Sequence, residues 1–102
     1  MYLIEIFLPV TDNEGTPFAR SVFDQVRQEL MDRWGGVTAF LRSPAEGTWK
    51  EENHTEKHDE IIIYEVMVEA LERPWWKEYG ETLGQRFRQD EVLIRAVQME
   101  RL

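Results

Sequence analysis

Four charged residues interrupt runs that are otherwise apolar. Glu5 breaks Tyr2-Leu3-Ile4-Glu5-Ile6-Phe7-Leu8, and Glu65 sits in the middle of Ile61-Ile62-Ile63-Tyr64-Glu65-Val66-Met67-Val68. Arg95 lies inside Val92-Leu93-Ile94-Arg95-Ala96-Val97, and Arg42 closes Val37-Thr38-Ala39-Phe40-Leu41-Arg42. A charge on such a run must face water, meet a partner or serve a site, because an unpaired buried charge is costly. Two acids and two bases can do acid–base chemistry. A carboxylate desolvated beside Ile63 and Met67 would have its pKa raised and could act as a general base. A neighbouring arginine would stabilise a developing anion. On this reading Glu65 is the candidate proton acceptor and Arg42 or Arg95 the anion stabiliser, with Glu5, Phe40, Ile63, Met67 and Trp49 lining the ligand space. The plainer reading is structural, with Glu5 and Arg95 forming an ordinary cross-strand or interchain ion pair.

The elements that must carry these residues follow from periodicity. Tyr2 to Pro9 alternates two sets of side chains, the pattern of a strand. Asp12-Asn13-Glu14-Gly15 is a turn, and Thr16-Pro17 predicts a helix start with Thr16 as N-cap. Ala19, Val22, Phe23, Val26 and Leu30 form the apolar stripe of a helix over 17–34, which Gly35-Gly36 ends. A second strand runs over 37–42. The polar stretch 50–60 reads as a long hairpin connection, and a third strand follows over 61–69. A second helix over 74–88 carries Trp76, Tyr79, Leu83 and Phe87. Its Gly80 and Gly84 each weaken a helix by ~1 kcal/mol relative to Ala, which a close packing contact would justify. A last strand covers 92–99.

The order is β-α-β-β-α-β in a single domain over 1–102. Right-handed crossovers put both helices on one side of an antiparallel sheet of order 4-1-3-2, a ferredoxin-like α+β sandwich. Tyr2, Ile4, Ile6, Val37, Ala39, Leu41, Ile62, Tyr64, Val66, Val92, Ile94 and Ala96 are expected to face the helices. The other set includes Leu3, Phe7, Phe40, Ile63, Met67, Leu93 and Val97 together with the four charged residues. That face is too apolar to stand in water, and no third layer exists to cover it. A second copy packed sheet against sheet is the simplest solution, so a homodimer is expected.

Composition narrows the function classes. The chain has 102 residues and a net charge of −8, which repels phosphate backbones and anionic membranes; neither a nucleic-acid nor a membrane partner is expected. The absence of cysteine excludes disulfides and thiolate chemistry and fits a cytoplasmic location. His54 and His58 fall in the polar hairpin with no metal-binding pattern, and no cofactor or metal is expected. Trp75-Trp76 is read as packing against the core and a neighbouring surface, with an aromatic ligand platform as the lesser alternative. The third strand carries no Lys or Arg, unlike an RNA-recognition motif.

The run Gly35-Gly36-Val37-Thr38-Ala39-Phe40, continuing as Ser43-Pro44-Ala45-Glu46-Gly47-Thr48-Trp49, resembles small uncharacterised bacterial proteins of the dimeric α+β-barrel group. The likeness spans most of the chain. Better understood members of that group are cofactor-independent monooxygenases, muconolactone-type isomerases, haem-degrading and haem-peroxidase relatives and stress-responsive proteins. The resemblance implies a homodimer with a small-molecule chamber, between helices and sheet or between two sheets. It transfers no reaction, and the lack of a strand-borne histidine weighs against haem ligation. Two functions therefore stand: a small-molecule-binding protein or cofactor-independent enzyme, and a non-enzymatic structural or regulatory interaction module.

Overall fold

The computed structural model describes residues 1–42 and 60–102. The elements run β1 (Tyr2–Pro9), α1 (Arg20–Trp34), β2 (Thr38–Arg42), β3 (Ile61–Val68), α2 (Arg73–Arg86) and β4 (Ile94–Gln98). The sheet order is β2-β3-β1-β4, which counted from the opposite edge is 4-1-3-2. Every pairing is antiparallel. This is the ferredoxin-like α+β arrangement, with the long apolar strands β1 and β3 in the centre.

Alternation decides which face each residue serves. Ile4, Ile6, Leu8, Tyr64, Val66 and Val68 are buried under the helices with Val26, Leu30, Trp76, Tyr79, Leu83 and Phe87. Phe87, 0% exposed, anchors this layer by edge contact with Phe18 at 5.1 Å and a tilted contact with Phe23 at 5.4 Å. Burying each such side chain contributes roughly 1.5–3 kcal/mol.

Three expectations need correction. Helix α1 starts at Arg20 rather than near Pro17, and its N-cap is Ala19, with no side-chain cap bond. Thr16 is engaged elsewhere: Asp12 Oδ1 accepts hydrogen bonds from the backbone N–H groups of Thr16 and Glu14, both at 2.9 Å. A Thr11–Pro17 bridge then keeps the chain extended. Ala39, Leu41 and Ala96 lie on the helix-facing side yet are exposed, because two helices cover the central strands and leave the edge strands bare. Ile63, expected on the open face, is only 2% exposed; Phe7 and Phe40 flank it in register.

At the end of α1 the expectation holds. Gly35 takes φ 86°, the left-handed conformation, and donates its N–H to Met31 O. The two helices are tied together outside the core. Arg86 donates from both Nη atoms to the two carboxylate oxygens of Glu29, each at 2.9 Å, and the Tyr79 hydroxyl donates to Glu29 Oε1 at 2.8 Å. Burial pushes the Glu29 pKa up, but the hydrogen bonds from Arg86 and Tyr79 outweigh it and hold the carboxyl below its usual range. Burial and the same carboxylate push the Tyr79 phenol well above its ordinary value.

Candidate functional site

The open face of the sheet is built in rows, because antiparallel pairing sets residues of neighbouring strands side by side. One row runs Thr38–Glu65–Glu5–Arg95 across all four strands. On one side of it lies Phe40–Ile63–Phe7, extended to β4 by the hydrogen bond from Phe7 N–H to Leu93 O. On the other side lies Met67–Leu3–Val97. A polar belt therefore crosses the middle of an apolar surface. Phe40, Met67, Leu93 and Val97 remain between 43% and 52% exposed.

Within the belt, Arg95 Nε donates to Glu5 Oε1 at 2.6 Å. The Arg95 guanidinium also lies over the Phe7 ring, 4.9 Å from its centroid. The Glu5 side chain is largely covered while Arg95 stays open to solvent. Glu65 lies on the other side of Glu5 and shares none of that guanidinium. Burial is the main cause that raises its pKa, followed by repulsion from Glu5 and a hydrogen bond to it; the charge of Arg42 works in the opposite direction. The belt thus holds one neutralised carboxylate beside one that keeps its proton more readily than an ordinary glutamate.

Of the residues expected at the site, Glu5, Glu65, Arg95, Phe40, Ile63 and Met67 share this face. Ile63 is a buried underlayer rather than an open lining. Arg42 is on the same face but one row removed from Phe40, opposite Ile61, and among the described residues it forms no ion pair. Trp49 lies outside the described residues, as do His54 and His58.

A second feature was not legible from periodicity. A groove of about 670 Å³ runs between α2 and β4, lined by Leu71, Trp76, Gly80, Glu81, Ile94 and Ala96 among others, and it reaches Arg95. Its lining takes in both helix-side residues of β4, Ile94 and Ala96, and the open-face residue Arg95. Only Gly84 marks a tight contact: a Cβ there would meet Gln89 O at 3.2 Å, whereas one on Gly80 would make an ordinary contact with Ile94 Cδ1 at 3.4 Å. The glycine spacing thus signalled the contact at Gly84 but not the groove beside Gly80.

The tryptophans form a separate cluster. Trp34 stacks on Trp76 at 5.4 Å and 9°, and Trp75 meets both edge-on. Arg33 lies over Trp34, 4.6 Å from its centroid, and pairs with Glu72. The rings thus pack on one another, and an internal cation already sits on them. Among the described residues the buried indole N–H groups of Trp34 and Trp76 have no acceptor.

No described helix is long and apolar enough to cross a membrane. No family model matches the chain, and no curated protein matches it significantly in sequence. Among solved structures the chain is similar to a phage SAM lyase in complex with S-methyl-5'-thioadenosine, with a TM-score of 0.61 and 12% identity over 95% of this chain and 80% of that one. At that identity the likeness is one of fold: a four-stranded antiparallel sheet with two helices on one side.

Proposed function

We propose that this chain is a small-molecule-binding protein of the dimeric α+β-barrel type, in which two copies cover each other's open sheet face and enclose a chamber. The carrying observation is the Thr38–Glu65–Glu5–Arg95 row set between two apolar rows. Apolar space with a few convergent polar groups is the usual composition of a ligand site. Phe40, Arg42, Glu65, Met67 and Arg95 line the chamber, and Ile63 supports it. If the chamber is catalytic, Glu65 accepts the proton and Arg95 or Arg42 stabilises the anion, with no cofactor. The ligand of the structural neighbour makes adenine-containing thioethers the first compounds to try.

A second reading is favoured by the Glu5–Arg95 pair. It is complete at 2.6 Å within one chain, so it needs no ligand. On that reading the protein is a homodimeric interaction module whose charges fix the register of the two sheets.

Native mass spectrometry of the gently purified protein, followed by calorimetric titration with S-methyl-5'-thioadenosine, separates the two. The binder predicts a dimer that retains or takes up a small mass, with affinity reduced at least ~10-fold, or about 1.4 kcal/mol, by Glu65→Gln. A dimer that holds nothing and is indifferent to Glu65→Gln supports the interaction module. A stable monomer overturns both.

A further inference from the structure

Four aromatic rings lie in mutual contact between the end of α1 and the first turns of α2. Trp34 stacks on Trp76 with centroids 5.4 Å apart and 9° between planes, and Trp75 meets them edge-on at 5.4 and 4.7 Å. Trp75 also stacks on Tyr79, 4.9 Å away at 23°. Trp34 and Trp75 are partly exposed, whereas Trp76 and Tyr79 are buried. The cluster therefore runs without a break from the surface to a buried phenol. Indole and phenol rings give up one electron more readily than other aromatic or aliphatic side chains. The chain has no cysteine, so no thiol competes with them.

The two ends of the cluster are finished differently. An oxidised indole is acidic at its N–H and an oxidised phenol at its O–H, so an electron vacancy comes to rest on the ring that can shed its proton. The Nε1–H groups of Trp34 and Trp76 are buried and have no acceptor among the described residues. A vacancy on either ring keeps its proton and stays free to move. The Arg33 guanidinium lies 4.6 Å from the Trp34 centroid and 5.5 Å from that of Trp75. Its charge, moderated by pairing with Glu72, makes a radical cation there less stable. Tyr79 is the opposite case. Its hydroxyl donates to Glu29 Oε1 at 2.8 Å, within reach of direct proton transfer. Two hydrogen bonds from Arg86 hold Glu29 ionised and in place. Burial and this carboxylate keep the neutral phenol protonated, but an oxidised phenol is a far stronger acid than a carboxylic acid. The proton therefore leaves Tyr79 only when the electron does.

We infer that this cluster is a relay for oxidising equivalents, which enter at Trp34 or Trp75 and end on Tyr79, with Glu29 as the proton acceptor. A one-electron oxidant of the peroxyl-radical class takes an electron from an exposed indole and becomes the corresponding anion. The vacancy reaches Trp75, which regains an electron from Tyr79 across their stacked rings as the phenolic proton passes to Glu29. In balance, the oxidant gains one electron, the Tyr79 phenol becomes a neutral phenoxyl radical, and the Glu29 carboxylate becomes the acid. The indoles are returned unchanged. The site is thus a sink that moves oxidation from surface indoles to a buried ring. It lies on the helix side of the sheet and is independent of the chamber proposed on the open face.

Photogenerated tris(bipyridyl)ruthenium(III) serves as the probe oxidant, with freeze-quench electron paramagnetic resonance as the readout. The native protein is expected to give a tyrosyl radical. Tyr79→Phe, which keeps the ring, is expected to lose that signal and show a tryptophanyl radical instead. Glu29→Gln is expected to prolong the tryptophanyl radical and lower the tyrosyl yield. Trp75→Phe, which leaves the phenol and its carboxylate in place, is expected to lower the same yield. Circular dichroism from the Trp34–Trp76 stack shows whether each variant keeps the cluster. Under a flux of peroxyl radicals, peptide mass spectrometry is expected to find more oxidised Trp34 and Trp75 in Tyr79→Phe than in the native protein. A tyrosyl signal that survives Tyr79→Phe belongs to Tyr2 or Tyr64 and overturns the inference, as does a native protein that holds only a tryptophanyl radical. A tyrosyl yield unchanged in both Glu29→Gln and Trp75→Phe overturns the route and its proton acceptor.

Discussion

The helix side and the open side of this sheet are made by the same strands, one residue apart, and they are finished differently. On the helix side Ile4, Ile6, Val66 and Val68 meet Leu30, Leu83 and Phe87 with no polar or charged residue buried among the described residues. On the open side the same strands present Glu5, Glu65 and Arg95 between Phe40, Met67 and Val97, half in water. Alternation alone produces both faces. The helices complete one of them, and the other has the composition of a surface made for something to cover. The helix side therefore carries the core, and the open side is the surface on which a covering partner is proposed.

The largest expected effect tests that division directly. Phe87→Ala should cost about 3–5 kcal/mol, because it empties a site in contact with Phe18 and Phe23. Phe40→Ala, measured by urea denaturation at concentrations low enough to keep the chain monomeric, should change stability by less than ~0.5 kcal/mol. Comparable losses would mean that the open face is part of the monomer's core, and the contrast would fail.

A smaller effect is expected at the helix–helix tie. Arg86→Ala removes two hydrogen bonds to the partly exposed Glu29 carboxylate and should cost about 1–2 kcal/mol after allowance for solvent screening. Glu29 is held below its usual pKa in the folded chain. Its contribution is therefore fully present above the ordinary carboxylate pKa and is lost as pH falls through the folded value. The difference between native protein and Arg86→Ala should shrink along that acid limb, as thermal melts from neutral to low pH would reveal. A difference that did not vary with pH would mean that Arg86 acts through packing rather than charge.

The smallest expected effect is on the open side and has the opposite sign. Glu65 is held above its usual pKa, so the folded monomer loses stability as pH rises from the ordinary carboxylate value through the folded one. Glu65→Gln should raise neutral-pH stability by about 0.5 kcal/mol, a Tm gain of ~2–4 °C, and the gain should vanish in acid. A loss of stability instead would show that a cation pairs with Glu65, and the site would then be structural.

Much of this was legible in the sequence. Element order, the antiparallel sheet and the placement of Glu5 between Glu65 and Arg95 followed from alternation and from the handedness of β-α-β crossovers. Alternation tells which side a residue faces but not whether anything covers that side, so Ala39, Leu41 and Ala96 were assigned to a core that stops short of the edges. The Thr16 cap was misread because Asp12, four residues earlier, captures the local N–H groups first. The α2–β4 groove could not be read at all, since a void depends on how two elements diverge in space, which no periodicity encodes.

The stacked tryptophans make the molecule an unequal optical reporter of its own events. Trp34 and Trp76 lie parallel at 5.4 Å, close enough for exciton coupling in circular dichroism and for mutual quenching of emission. That signal belongs to the docking of α1 against α2 and should disappear when the helix layer loosens. No described tryptophan stands on the open face. The coupled signal of Trp34 and Trp76 will therefore follow unfolding closely and will report little of events at Glu65 on the opposite face.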